Sequence, residues 1–234
     1  MNKVLVITGA SAGIGKATTE LFLQNGWRVI NLSRRPCPVQ DAISLRVDLT
    51  KPGFLYEIKS DLETQLATAD CICLIHNAAW LNKDSFQTLS GDVFREVLEI
   101  NMIAPQVLNY FIFPFMKSSS SILYIGSTLS EKAVPGVFSY AATKHANIGM
   151  MRATCQDLAD TGIHTAAICP GFTDTEMLNN HLNHDEEILN AVKSMSAFNR
   201  LITPQEIAET LLFAATNPVL NGAVLHANLG QIER

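Results

Sequence analysis

The sequence is short of the features that mark several large classes of protein. None of the apolar runs in its 234 residues approaches the roughly 20 residues of a membrane span. Met1 leads directly into an apolar segment with no leader ahead of it, so a cytoplasmic protein is expected. Charged residues are only 17% of the chain and the net charge is −5 at pH 7. That balance offers no broad positive field for nucleic acid or an anionic membrane, and Arg34-Arg35 is too small an exception. The five cysteines, Cys37, Cys71, Cys73, Cys155 and Cys169, are odd in number and lack paired zinc spacing. Cys71 and Cys73 stand two apart in an apolar run, on one side of a strand, which suits core packing. The histidines do not cluster with carboxylates at ligand spacing. His181 and His184, near Asp185 and Glu186, come closest, in a polar stretch that reads as a loop or helix start, and no metal is expected. Repeats, low-complexity tracts and linkers are also missing, so one domain over residues 1–234 is expected, with enough apolar residues for one large core.

What is present is an alternation of short apolar runs with helical patterns. Strands are expected near 3–8, 28–32, 44–48, 71–76, 120–126, 163–168 and 222–227. Helices fill most of the gaps, the longest about 92–117 and 139–161, with Pro105 and Pro114 marking bends or ends in the first. Thr203-Pro204-Gln205-Glu206 reads as a helix cap with proline at the first helical position. Such βαβ units imply an α/β fold of Rossmann type. The expected architecture is three-layered: a doubly wound, mostly parallel seven-stranded sheet, helices on both faces, and the ligand at the strands' carboxyl ends.

The first strand runs into Gly9-Ala10-Ser11-Ala12-Gly13-Ile14-Gly15. Strand, glycine-rich turn and helix start make a phosphate cradle, because glycines let the backbone approach a pyrophosphate and the helix N-terminus favours its charge. The spacing is G-x-x-x-G-x-G rather than G-x-G-x-x-G. Farther on, Tyr140 follows Ser127 by thirteen residues, and Lys144 stands four beyond it. On a helix they share a face, and a nearby ammonium favours the phenolate, so the phenol becomes an acid usable at neutral pH. The pair alone favours the plainer reading of a packed tyrosine and a solvated lysine.

Together, the glycine turn, Ser127, Tyr140 and Lys144 resemble the short-chain dehydrogenase/reductase family in its ordinary-length single-domain form, over nearly the whole chain. Other positions fit in order. His76-Asn77-Ala78-Ala79 stands where the family has N-N-A-G; Asn77 would brace the central strand, and Ala79 replaces the usual glycine. Asn101 matches the asparagine that distorts a helix and holds a water. Pro170-Gly171-Phe172-Thr173-Asp174-Thr175 resembles the stretch that anchors the nicotinamide amide, with Thr175 and less directly Thr173 as contacts. Asp48, with Leu49 beside it, matches the residue near the adenine amino group, or is a plain turn-initiating aspartate.

The second strand ends in Ser33-Arg34-Arg35, with no acid to bind the ribose hydroxyls of NAD. Two guanidiniums suit the extra phosphate of NADP by charge and forked geometry, and Ser11 could add a hydroxyl. NADP(H) is therefore expected over NAD(H). The resemblance implies hydride transfer with Ser127 on the substrate oxygen and Tyr140 as proton donor. Lys144 would lower the tyrosine's pKa and bind the ribose, and Asn101 would complete a water-linked proton path. Residues 176–202 stand where the family has its variable lid and carry Met177, Leu178, Leu182, Ile188, Leu189, Met195 and Phe198. Trp80, Leu129, Val134, Phe138 and Phe172 could add apolar wall or belong to the core. A small or medium, partly apolar carbonyl or alcohol is the expected substrate. A 3-oxoacyl-carrier-protein reductase and a non-catalytic NADP(H) sensor are the alternatives. A homodimer or homotetramer is implied by resemblance.

Overall fold

A computed structural model describes residues 1–183 and 185–231. Seven parallel strands form one sheet: β1 (Lys3–Thr8), β2 (Arg28–Ser33), β3 (Ile43–Arg46), β4 (Cys71–His76), β5 (Ser121–Ile125), β6 (His164–Pro170) and β7 (Val224–Ala227). Their order is β3-β2-β1-β4-β5-β6-β7. The strand order reverses between β1 and β4, which pair from Lys3 with Cys71 to Ile7 with Ile75. A crevice therefore opens where these two strands end, the place where parallel sheets bind ligands.

The period-two alternation of the strands sorts their side chains into two cores. Val4, Val6, Ile72 and Leu74 face one side, beneath α2 (Leu55–Leu66), α4 (Ala104–Ile112) and α5 (Phe138–Asp157). Leu5, Ile7, Cys71, Cys73 and Ile75 face the other, beneath α1 (Gly13–Gln24) and α8 (Pro204–Thr216). Cys71 and Cys73 thus share a side and pack in the core, as their spacing requires. Each such buried aliphatic side chain contributes roughly 1.5–3 kcal/mol, which makes the sheet a rigid base for the loops at its edge.

The long helical stretch before β5 is not one uniform helix. It runs from α3 (Gly91–Leu98) through a π-turn (Glu99–Ile103) into α4, and ends in a 3₁₀ turn at Phe113–Phe115. Pro105 follows the π-turn and Pro114 sits in the closing turn, so both prolines mark changes of helical geometry. Thr203 caps α8: it accepts from the Glu206 N–H while the Glu206 carboxylate accepts from the Thr203 N–H, a reciprocal capping box. The lid region folds as α6 (Glu176–His181) and α7 (Glu186–Ser194), the latter capped by Asp185. His184 lies outside the described residues.

Candidate active site

The loops after β1, β2, β3, β4, β5 and β6 converge on a cavity of about 990 Å³. Gly9, Ser11, Gly13 and Ile14 line one end, with Ser33, Arg34, Arg35, Asp48 and Leu49 beside them. Asn77, Ala78 and Ala79 line the middle, and Ser127, Tyr140 and Lys144 face the same space across from Pro170, Gly171, Thr173 and Thr175. Gly15 and Asn101 are buried behind this lining.

The glycine turn is shaped by close approach. Gly9 has φ +74°, and a Cβ on Gly15 would lie 2.5 Å from the Gly9 carbonyl oxygen and 2.8 Å from the Ala10 Cα. Helix α1 begins here with no side-chain cap and no acid in its first turn. Its leading N–H groups and positive end therefore face the cavity, which is what an anion requires. Two residues that local sequence did not mark lock the turn. Asn31, fully buried in β2, accepts from the Ala10 N–H at 2.9 Å. The Thr8 hydroxyl accepts from the N–H groups of Asn77 and Ala78, while the Asn77 amide donates to the Thr8 and Gly9 carbonyls. Asn77 thus braces β1 against β4.

At the end of β2 the Ser33 hydroxyl is committed to the Arg35 carbonyl and accepts from Asn31, so it shapes the turn. Arg35 pairs with Glu176, on the first turn of α6, at 3.3 Å. Burial pushes the Asp48 carboxyl up, but hydrogen bonds from Thr50 and the charges of Arg34 and Lys51 outweigh it and hold the pKa below its ordinary value. Asp48 is both a cavity residue and the turn-maker for Thr50. The Thr175 hydroxyl caps α6 by accepting from Leu178, so its own proton remains to donate. Thr173 donates to the Gly171 carbonyl.

Ser127 follows β5, and its Oγ accepts from the Leu129 N–H at 3.1 Å, which leaves its own proton to donate. The expected effect of Lys144 on Tyr140 is not what the geometry produces. Lys144 Nζ donates to the Ile125 carbonyl at 2.6 Å and stands 5.3 Å from the centre of the Tyr140 ring. Burial pushes the phenol up to about 12, and the Ser127 hydrogen bond pulls it only part of the way back. Burial also pushes the Lys144 ammonium down to about 8. Burial is the largest influence on both groups, and it favours the protonated phenol at neutral pH.

Asn101 lies in the π-turn, as a helix-distorting residue should. Its Oδ1 accepts from the Trp80 N–H, and its amide donates to the Trp80 carbonyl and to Thr143 on α5. With its side chain so committed, a water-linked path would have to use the main chain. Trp80 does not line the cavity, nor does Phe138, which is 46% exposed and meets Phe94 of α3 at 6.4 Å. Leu129, Val134, Phe172, Met177, Leu178 and Met195 do.

Other groups at the site were not marked by the sequence because they act across long separations. Buried Asp84 accepts from the Ser139 N–H at 2.9 Å and from the Ser139 hydroxyl, capping the start of the Tyr140 helix from 55 residues away. Cys169 is fully buried against Gly126, beside Ser130, and burial pushes its thiol up. His76 is buried too: its Nε2 meets Asn109 Oδ1 at 2.7 Å, and the Asn109 amide donates to the Tyr124 hydroxyl. Nε2 is therefore the protonated nitrogen, and buried Nδ1 has no partner. Burial pushes this imidazole from 6.5 down to about 4. Between these values the unfolded chain binds the proton and the folded chain does not, so stability falls with falling pH. The loss amounts to roughly 3 kcal/mol by pH 4. Melting curves across this window should show a steeper acid limb for the wild type than for His76→Asn; parallel limbs would contradict the assignment.

The family model described as Enoyl-(Acyl carrier protein) reductase matches residues 9–231, nearly the whole chain. The chain belongs to the short-chain dehydrogenase/reductase family. It is 31% identical to protein FixR of Bradyrhizobium diazoefficiens, over 98% of the chain and 86% of the relative. It is 27% identical to the 3-oxoacyl-[acyl-carrier-protein] reductase FabG of Vibrio cholerae, over 97% and 96%. A short chain dehydrogenase family protein from Francisella tularensis superposes with a TM-score of 0.88 at 27% identity, covering 98% of both chains. As a short-chain dehydrogenase/reductase, the protein is an NAD(P)-binding oxidoreductase with a Rossmann-type fold. No helix among the described residues is long and apolar enough to cross a membrane.

Proposed function

We propose that this short-chain dehydrogenase/reductase is an NADP(H)-dependent enzyme that reduces a small or medium, partly apolar carbonyl compound to an alcohol. The observation that carries the reading is that Tyr140, Ser127 and Lys144 face the same cavity as the glycine turn, Arg34 and Arg35. When bound, the nicotinamide supplies the hydride. The turn at Gly9, Ser11, Gly13 and Ile14 and the open start of α1 hold the pyrophosphate, with Arg34, Arg35 and Ser11 at the ribose phosphate. Asp48 and Leu49 flank the adenine, and Thr175 meets the carboxamide. Ser127 donates to the substrate oxygen, and Tyr140 delivers its proton there. Of the three Lys144 N–H donors one is bound to Ile125, leaving two for ribose hydroxyls. Residues 176–202 act as the lid of this one catalytic unit. The protein works in the cytoplasm as a homodimer or homotetramer through helices 91–112 and 138–157, which expose Ile103 and Tyr110.

NADPH consumption over a panel of aldehydes, ketones and diketones tests the reading. Tight NADPH binding with no turnover would favour a non-catalytic sensor. The similarity to the Vibrio cholerae enzyme favours, as a second reading, a 3-oxoacyl thioester on a carrier protein, which would show as much faster turnover of the carrier-bound ketone than of the free one. For the cofactor, hydrogen bonds to charged groups contribute about 1.5–3 kcal/mol. Arg34→Ala with Arg35→Ala should therefore raise the KM for NADPH about tenfold or more while leaving that for NADH nearly unchanged. Equal losses with both cofactors would contradict the assignment.

A further inference from the structure

We infer that the carbonyl substrate is an oxo acid, whose carboxylate sits in a second cavity beside the catalytic one. The inference rests on the reductase reading above. The second cavity, of about 510 Å³, lies between the β4–α3 loop and the lid. Val134, Val137 and His181 line both cavities, so the two adjoin along an apolar wall. The second is lined further by Lys83, and the charge of Lys83 reaches the His181 ring. Lys83 Nζ donates to Asn183 Oδ1 at 3.3 Å, which leaves two of its N–H donors for a ligand.

The lining is also short of negative charge. Among its described residues Asp84 is the one carboxylate, and it is 6% exposed. Both its oxygens are spent on the Ser139 N–H, the Ser139 hydroxyl and the Asn82 amide. An ammonium and an imidazole therefore converge without a competing acid, in a protein whose net charge is −5. Such a lining suits an anion better than a cation. The shared valines give the intervening methylenes an apolar path, so the carbonyl can lie at Tyr140 while the carboxylate lies at Lys83.

The test compares levulinate with levulinamide, and their homologues lengthened one methylene at a time, as substrates with NADPH. The acid of the best length should exceed its amide in kcat/KM by about threefold to fivefold, as one solvent-exposed charge pair gives. That ratio should collapse in Lys83→Gln, return in Lys83→Arg, and shrink with added salt. A ratio at or below one in the wild type, or one unmoved by Lys83→Gln, overturns the inference. If neither compound is reduced, the reductase reading fails on these substrates, and a thermal shift decides the pocket separately. Pentanoate should then raise the Tm of the wild type more than pentanamide does, and equal shifts overturn the inference.

Discussion

Replacing Tyr140 by phenylalanine is expected to lower kcat about a hundredfold to ten-thousandfold, the usual contribution of a positioned general acid, with NADPH still bound. The substitution removes one hydroxyl and little else. The ring can stay where it lies against Lys144, and Ser127 keeps its bond from Leu129. Ser127 cannot replace the lost acid, because a serine hydroxyl is far less acidic than a phenol. Single-turnover rates with a reducible carbonyl, set beside NADPH binding by fluorescence, separate the proton step from cofactor affinity. Full turnover in the variant would remove Tyr140 from the mechanism. The pH profile is the companion measurement. The phenol, pushed up to about 12, stays protonated across the working range, whereas Lys144, near 8, loses its charge as the pH rises. Activity should therefore decline above pH 8 through Lys144 and show no loss from Tyr140 until far higher.

Gly15→Ala should be nearly as damaging, by a different route. Its new methyl would meet the Gly9 carbonyl oxygen at 2.5 Å and the Asn77 amide at 2.7 Å. The oxygen is backbone, and the amide ties β1 to β4, so neither can simply swing aside. Overpacking of this kind costs about 1–3 kcal/mol, which a sheet with two buried faces can absorb, so the chain should fold. The phosphate cradle, however, must open, and a misplacement of about 1 Å in a positioning element can cost a hundredfold in rate. A near-native circular dichroism spectrum with NADPH binding weakened by that order is the expected result; unchanged binding would show that the cradle is not used.

Much of this site is legible in the sequence because it rests on local patterns. Strand ends, the glycine turn and the Tyr140–Lys144 spacing each need only a few neighbouring residues to be read. The seven strands fall within a few residues of their expected positions for the same reason. What could not be read depends on pairs far apart in the chain. Asp84 on Ser139, Asn31 on Ala10 and Cys169 against Gly126 meet only once the sheet has assembled. The phenol's proton affinity turns on how deeply α5 buries it, which periodicity does not report. Trp80 and Phe138 were candidates for the cavity wall, but Trp80 is held by its backbone to Asn101 and Phe138 faces α3.

The π-turn at Glu99–Ile103 sets a practical limit on redesign of the helix that contains it. Shortening that turn by one residue to make a regular helix would look harmless, even stabilising, to anyone judging by helical propensity. The π-turn is one residue wider than an α-turn, and one residue is about 100° of rotation in an α-helix. The wider turn absorbs that residue, so its deletion would leave Val97 before the turn and Leu108 and Ile112 after it facing the core. Asn101, by contrast, would lose its grip on Trp80 and Thr143 together. The damage would therefore show at the site and hardly at all in the melting temperature.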